Sequence, residues 1–274
     1  MPRRIGVCSW SLRARSPEDL VEKIRACGLD AVQLALTPLC RDERALDAML
    51  GALRAAGIAV RSGMMSTVGE NYSTLETIRR TGGLRPDGHW KENLALARAV
   101  ARSAKRAGVA LVSFHAGFLP EERGTRDREM MIGRLRAVAD AFGEMGVKVA
   151  LETGQERADI LLGVLQELDR PACGVNFDPA NMVLYGMGDP VAALDHLAPR
   201  VLQIHVKDAL PAKAAGEWGT EVPVGTGSVD WRAFFATVRE RAIDVDLMIE
   251  RESGDDRVGD IARARERVLR ELAA

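Results

Sequence analysis

The sequence predicts an α/β fold, a single (β/α)8 TIM barrel spanning residues 1–274. Three observations carry that expectation. Eight short apolar, β-branched runs alternate with longer segments of helical period from end to end. A length of 274 residues suits one such barrel. No linker-like, low-complexity stretch divides the chain.

The first strand is read in residues 4–10, "RIGVCSW", and the first helix in residues 16–28. That helix opens on Ser16-Pro17-Glu18-Asp19, which supplies a capping hydroxyl, a proline with helical φ and two acids at the positive end of the helix dipole, and it stops at Gly28. A strand at 30–36 and a helix at 41–57 follow, then a strand at 58–64. Helix 91–108, strand 110–116, helix 127–146 and strand 147–153 continue the alternation, with Gly57, Gly108 and Gly146 just past helix ends. Helix 156–169, strand 172–178, helix 189–198, strand 201–207, helix 229–242, strand 245–250 and helix 260–274 complete it. The connection at 65–90 is long enough to be functional. It reads either as a lid over the C-terminal ends of the strands or as a surface excursion holding a short helix.

Lys plus Arg total 38 and Asp plus Glu 39, a formal net charge of -1, which argues against a dedicated nucleic-acid binder. No run of about 18 apolar residues is present and the start has no signal-peptide core, so a cytoplasmic protein that does not enter membranes is expected. Cys8, Cys27, Cys40 and Cys173 lie far apart without C-x-x-C spacing and read as reduced packing thiols.

In this fold the chemistry sits where strands end. Strands five to eight end on Glu152, Asp178, His205 and Glu250, one hard or borderline metal ligand each. An isolated acid after a strand is usually a helix cap, and an isolated histidine a bonded core residue. Neighbouring strands lie about 4.8 Å apart, however, so four inward side chains at one rim can converge. Three carboxylates and an imidazole suit an open site for a divalent ion, Mn²⁺ foremost, with Mg²⁺, Co²⁺ or Zn²⁺ as alternatives. Glu252 shares the strand parity of Glu250 and stays open as the eighth-strand ligand.

In "QIHVKD", Gln203 and Lys207 share the inward parity of His205. Gln203 would support the ligand from one layer deeper, Lys207 would place charge over a substrate oxygen or snorkel to solvent, and Asp208 would face away and brace Lys207 or a helix. Glu152 and Glu250 would flank the metal and exchange protons beside a substrate carbonyl, giving epimerisation, aldose–ketose isomerisation or, with a leaving group in place, elimination. His115 and Glu156 are candidate contacts to substrate hydroxyls. Trp10 would stack on a sugar face or simply pack. Gly225-Thr226-Gly227-Ser228 is a weak phosphate-cradle candidate, while His89 and His196 receive no role.

The segments "LETGQE", "NFDPANM", "QIHVKD", "PVGTGSVDW" and "IERE" resemble the sugar phosphate isomerase/epimerase family of xylose isomerase-like TIM barrels. The resemblance covers nearly the whole chain and is most specific from Glu152 to Glu252. It implies metal ligation by Glu152, Asp178, His205 and Glu250, and an acid/base pair of Glu152 and Glu250. Where ketose 3-epimerases carry a substrate-binding histidine three residues after the metal aspartate, this chain has Asn181, and it offers Lys207 and Asp208 where they carry an arginine. The family's abasic-site endonuclease relatives need a histidine-rich zinc cluster, which the 4 histidines here do not supply. The expected partner is a small carbohydrate or keto-polyol, with self-association of the barrel also expected. A lyase on the same scaffold and a non-catalytic carbohydrate-binding barrel are the competing readings.

Overall fold

The computed structural model describes residues 3–214 and 216–273. Eight parallel strands close into a barrel: β1 (Ile5–Cys8), β2 (Ala31–Ala35), β3 (Ala59–Met64), β4 (Leu111–Phe114), β5 (Lys148–Glu152), β6 (Cys173–Phe177), β7 (Val201–Val206) and, after a hairpin of β8 (Asp208–Leu210) with β9 (Thr220–Val222), β10 (Leu247–Ile249). Each neighbour in the chain is a neighbour in the barrel, and β1 pairs with β10, Ile5 opposite Leu247, to close the ring. All eight expected strands are present.

The expected helices form the outer layer as α1 (Pro17–Ala26), α2 (Glu43–Ala55), α4 (Asp87–Ala107), α5 (Arg126–Gly143), α6 (Ala158–Leu168), α8 (Pro190–Leu197), α9 (Trp231–Glu240) and α10 (Arg257–Ala273). The Ser16 side chain caps α1 by accepting from Asp19 N, as the sequence pattern anticipates. The long connection holds a short helix, α3 (Leu75–Thr81), as one of its two readings expects, whereas α7 (Pro179–Tyr185) directly after β6 was not anticipated as a separate element. The hairpin of β8 and β9 is a second addition, its strands of three residues being too short to show a period.

Leucine, valine, isoleucine and phenylalanine fill the layer between strands and helices, with Phe177, Trp231, Phe234 and Phe235 stacked edge to face and tilted on one side. Inside the barrel the filling is polar: Gln33, Ser113, Asn176, Gln203 and His205 are all at most 1% exposed. Such groups are tolerated only when bonded to one another, and that network underlies the site. The four cysteines are free. No helix among the described residues is long and apolar enough to cross a membrane.

Candidate metal and substrate site

Four adjacent strands, β5, β6, β7 and β10, bring Glu152, Asp178, His205 and Glu250 together at one rim, each with a ligand atom within 4.8 Å of the others. His205 Nδ1 faces all three acids, at 3.3 Å from Glu152 Oε1, 3.4 Å from Glu250 Oε2 and 3.8 Å from Asp178 Oδ2. Glu250 follows the last residue of β10, with its N–H donating to Val206 O. Glu252 lies further out, half exposed against Lys207, so Glu250 is the eighth-strand member of the cluster.

Asp178 serves two purposes. Its Oδ1 accepts from Asn181 N and caps α7, while Oδ2 is buried without a hydrogen-bond partner. Pro179 at the first helical position and Asp178 before it make a strong helix start, so the helix fixes the carboxylate with one oxygen turned to the cluster. Thr153 locks this end, its hydroxyl accepting from Asp178 N and donating to Asp178 O.

Glu152 Oε1 accepts from Asn181 Nδ2 at 3.0 Å and Oε2 from Asn176 Nδ2 at 3.2 Å. Glu250 Oε1 accepts from Trp10 Nε1 at 2.6 Å and Oε2 from Lys207 Nζ at 3.0 Å. Burial disfavours charge on Glu250, but the ammonium of Lys207 and the imidazole of His205 outweigh it and hold the carboxyl well below its usual range. Asp178, more dominated by burial, is pushed up to about 6. Burial opposes charge on His205 as well, and the surrounding acids hold its proton affinity well above the ordinary value.

The cluster fits a divalent cation. Three fully buried carboxylates face the Lys207 ammonium and the His205 imidazole, whose proton the acids hold, and a cation in place of that proton would supply the compensating charge that a low-dielectric interior requires. Asp178 Oδ2 and His205 Nδ1, both buried and unpartnered, point into the same space. Hard oxygens with a single imidazole are the donor set of Mg²⁺- or Mn²⁺-type ions.

A cavity of about 390 Å³ adjoins the cluster through His115, Asn181 and Lys207, and is walled further out by Tyr72, Tyr185 and Trp218. His115 Nε2 lies 3.6 Å from Glu152 Oε1. Lys207 spends its ammonium on Asn181 Oδ1, Glu250 Oε2 and Glu252 Oε2, so its charge acts on the acids of the site. Trp10 is not a wall of this cavity; its indole N–H is committed to Glu250. Glu156 is buried but is not among the cavity residues, because the chain turns away after Glu152 toward α6.

The glycine-rich turn has a different occupant from the one its sequence suggests. The Asp208 carboxylate accepts from the N–H groups of Ala209, Gly225, Gly227 and Val229 and from Trp231 Nε1. A Cβ on Gly227 would meet Asp208 Oδ1 at 2.1 Å. The turn therefore cradles an internal anion, and its donors are not available to a phosphate. Asp208 braces α9 through Trp231, the helix contact expected of it.

Gln203 supports the site indirectly, Nε2 donating to Asn176 Oδ1. Gln33, which sequence reading passed over, touches His205 itself at 2.7 Å. A glutamine inside the apolar run "DAVQLAL" was the available signal, the same one that marks Gln203. Tyr72, Tyr185 and Trp218 come from loops and a short helix with no such pattern.

The architecture and this rim define a xylose isomerase-like TIM barrel, and the chain belongs to that family, whose model matches residues 21–272. A xylose isomerase domain protein from Planctomyces limnophilus superposes with a TM-score of 0.88 at 33% identity, over 100% of this chain and 97% of that one. The barrel also superposes, at TM-scores of 0.74, on a Mycobacterium smegmatis xylose isomerase-like barrel in complex with magnesium (19% identity, 99% and 96% covered) and on Escherichia coli 3-keto-D-glucoside 4-epimerase (14% identity, 98% and 99% covered), which speaks for the fold. Among curated relatives, 3-oxo-isoapionate decarboxylase of Pectobacterium atrosepticum is 28% identical over 130 residues, 46% of each chain, so the match spans about half the length of that relative.

Proposed function

We propose that this protein is a divalent-metal-dependent sugar isomerase or epimerase that works by proton abstraction next to a carbonyl. The observation that carries the reading is the placement of Glu152 and Glu250, on strands three apart, on either side of His205 Nδ1 at 3.3 and 3.4 Å. Glu152, Asp178, His205 and Glu250 would hold the ion, Mn²⁺ by preference. When bound, the ion acts as a Lewis acid that polarises the substrate carbonyl and favours the enediolate form.

Glu250 Oε2 is kept ionised by Lys207 and is suited to accept a proton from the substrate carbon. Glu152 Oε1, which Asn181 Nδ2 orients and His115 faces, is placed to exchange a proton from the other side. Asn181 couples the two, with Nδ2 on Glu152 and Oδ1 accepting from Lys207. Delivery of a proton to the opposite face of the same carbon epimerises, and to the neighbouring carbon isomerises. His115 faces the cavity with Nδ1 unpartnered and is assigned a substrate hydroxyl.

A lyase reading stands second, favoured by the decarboxylase among the relatives, because loss of carbon dioxide from the carbon next to the carbonyl leaves the same kind of enediolate, and a leaving group β to the carbonyl would depart from it with its electron pair to give an enone. Elemental analysis of wild type and His205→Ala, followed by incubation of the metal-loaded protein with ketoses in deuterated water, separates them. Stoichiometric metal lost in the variant, with deuterium in a substrate of unchanged skeleton, supports the first reading. Release of carbon dioxide or an enone supports the second. Wild type that takes up no Mn, Mg or Co overturns both.

A further inference from the structure

The outer half of the cavity differs in kind from the half that meets the carboxylates. Tyr185 of α7 packs edge-on against Trp218 at 5.0 Å between ring centroids, the two rings walling the cavity together, and is backed by buried Phe118 at 5.8 Å. This wall is built rather than incidental. Gly219 lies where the hairpin loop crosses α7, its N–H toward Leu184 O, and a Cβ there would stand 2.6 Å from Leu210 O and 3.0 Å from Leu184 Cα. The crossing pins Trp218 beside Tyr185. Gln155 Nε2 donates to the Tyr185 hydroxyl, while Gln155 Oε1, in a side chain that is 3% exposed, has no hydrogen-bond partner.

Charge in the same space is unfavourable to anions. Among the described residues Lys207 is the sole lysine or arginine lining the cavity, and its three N–H donors already meet three acceptors. The other charged walls are Glu221 and Glu252. The glycine-rich turn is filled by Asp208.

We propose that this aromatic half is a subsite for a second, uncharged sugar ring, so that the substrate is a neutral glycoside or oligosaccharide rather than a sugar phosphate or sugar acid. The proposal rests on the carbohydrate reading above and names its substrate class. The apolar face of a pyranose would lie on the Tyr185–Trp218 wall while the reacting keto ring reaches the carboxylates.

The test is calorimetric titration of metal-loaded wild type, Trp218→Ala and Trp218→Phe with D-fructose, the neutral disaccharide lactulose and D-fructose 6-phosphate. Lactulose should bind about tenfold tighter than fructose, ~1.4 kcal/mol, in wild type and Trp218→Phe. That gain should vanish in Trp218→Ala, whose circular dichroism and metal affinity report an intact fold, and the phosphate ester should bind no better than fructose. Tighter binding of the phosphate ester, no gain for lactulose, or a gain that survives in Trp218→Ala overturns the subsite. Deuterium uptake in the same samples reads the acid–base chemistry separately: a lactulose gain without uptake keeps the subsite and removes the proton-abstraction reading.

Discussion

His205 Nε2 donates to Gln33 Oε1 at 2.7 Å. Gln33 cannot turn round, because its Nε2 donates to Ser113 Oγ at 2.8 Å and to Gly63 O at 3.1 Å, which leaves only the oxygen for the histidine. A proton is thereby kept on Nε2, and Nδ1, whose own proton a bound cation would replace, is the nitrogen turned to the three acids. A glutamine three strands away across the closure of the barrel thus sets which imidazole nitrogen would face a bound cation.

Gln33→Leu should therefore weaken metal binding roughly 10–100-fold, the usual cost of losing such a support, without removing any ligand. Competition against a metal chelator measures this. Unchanged affinity in the variant would remove Gln33 from this role.

Glu152→Gln should reduce solvent-proton exchange into substrate by about 10²–10⁴-fold. The new amide would also face the Asn181 and Asn176 amides, both of which now donate to the carboxylate, so a donor pair would clash where an acceptor stood. Glu250→Gln should lower exchange comparably and leave Lys207 with one fewer charged partner. Exchange at wild-type rates in either variant would take that glutamate out of the proton pathway.

The strands and the four-residue cluster were legible because a buried parallel strand admits polar groups only for a reason, and Glu152, Asp178, His205 and Glu250 each interrupt or end an apolar run. Asp178 was read as metal ligand or helix cap and is placed to be both, since α7 follows it directly. The cavity walls were not legible. Trp218 reaches Tyr185 only through a hairpin with strands of three residues and a crossing at Gly219, features without a period of their own. "GTGS" was read as a weak phosphate cradle, but the group it holds is the carboxylate of Asp208 at the start of β8, a contact 17 to 21 residues away in sequence that local pattern does not reveal.

Asp208→Ala should destabilise the fold by roughly 3–5 kcal/mol, because it leaves buried N–H groups and the Trp231 indole without an acceptor. Asp208→Asn keeps the shape and one acceptor oxygen but places an amide among donors, so a smaller loss of about 1–3 kcal/mol is expected. Urea unfolding with linear extrapolation measures both. A loss below about 0.5 kcal/mol for Asp208→Ala, the range of ordinary surface changes, would show that the turn holds without its carboxylate.

Glu156 supplies a pH dependence that can be separated from the site. Its carboxyl is buried, makes no ion pair among the described residues, and is pushed up to about 8 by desolvation. The folded state therefore keeps this proton at pH values where the unfolded chain, with an ordinary glutamate near 4.5, has released it. Below the unfolded value the proton is bound in both states and the fold bears no penalty. As pH rises from about 4.5 toward 8 the unfolded state gains, and stability falls by an amount set by 1.36 kcal/mol per tenfold difference in proton affinity, on the order of a few kcal/mol. Glu156→Gln carries no titrating group and should lose less stability over that window. Unfolding free energies of both proteins at pH 5 and pH 8.5 provide the comparison: the variant should be the more stable of the two at pH 8.5 by roughly 2–4 kcal/mol relative to their difference at pH 5. Parallel curves for the two proteins would mean that Glu156 ionises at an ordinary pH in the folded state, with water or a cation reaching its carboxylate.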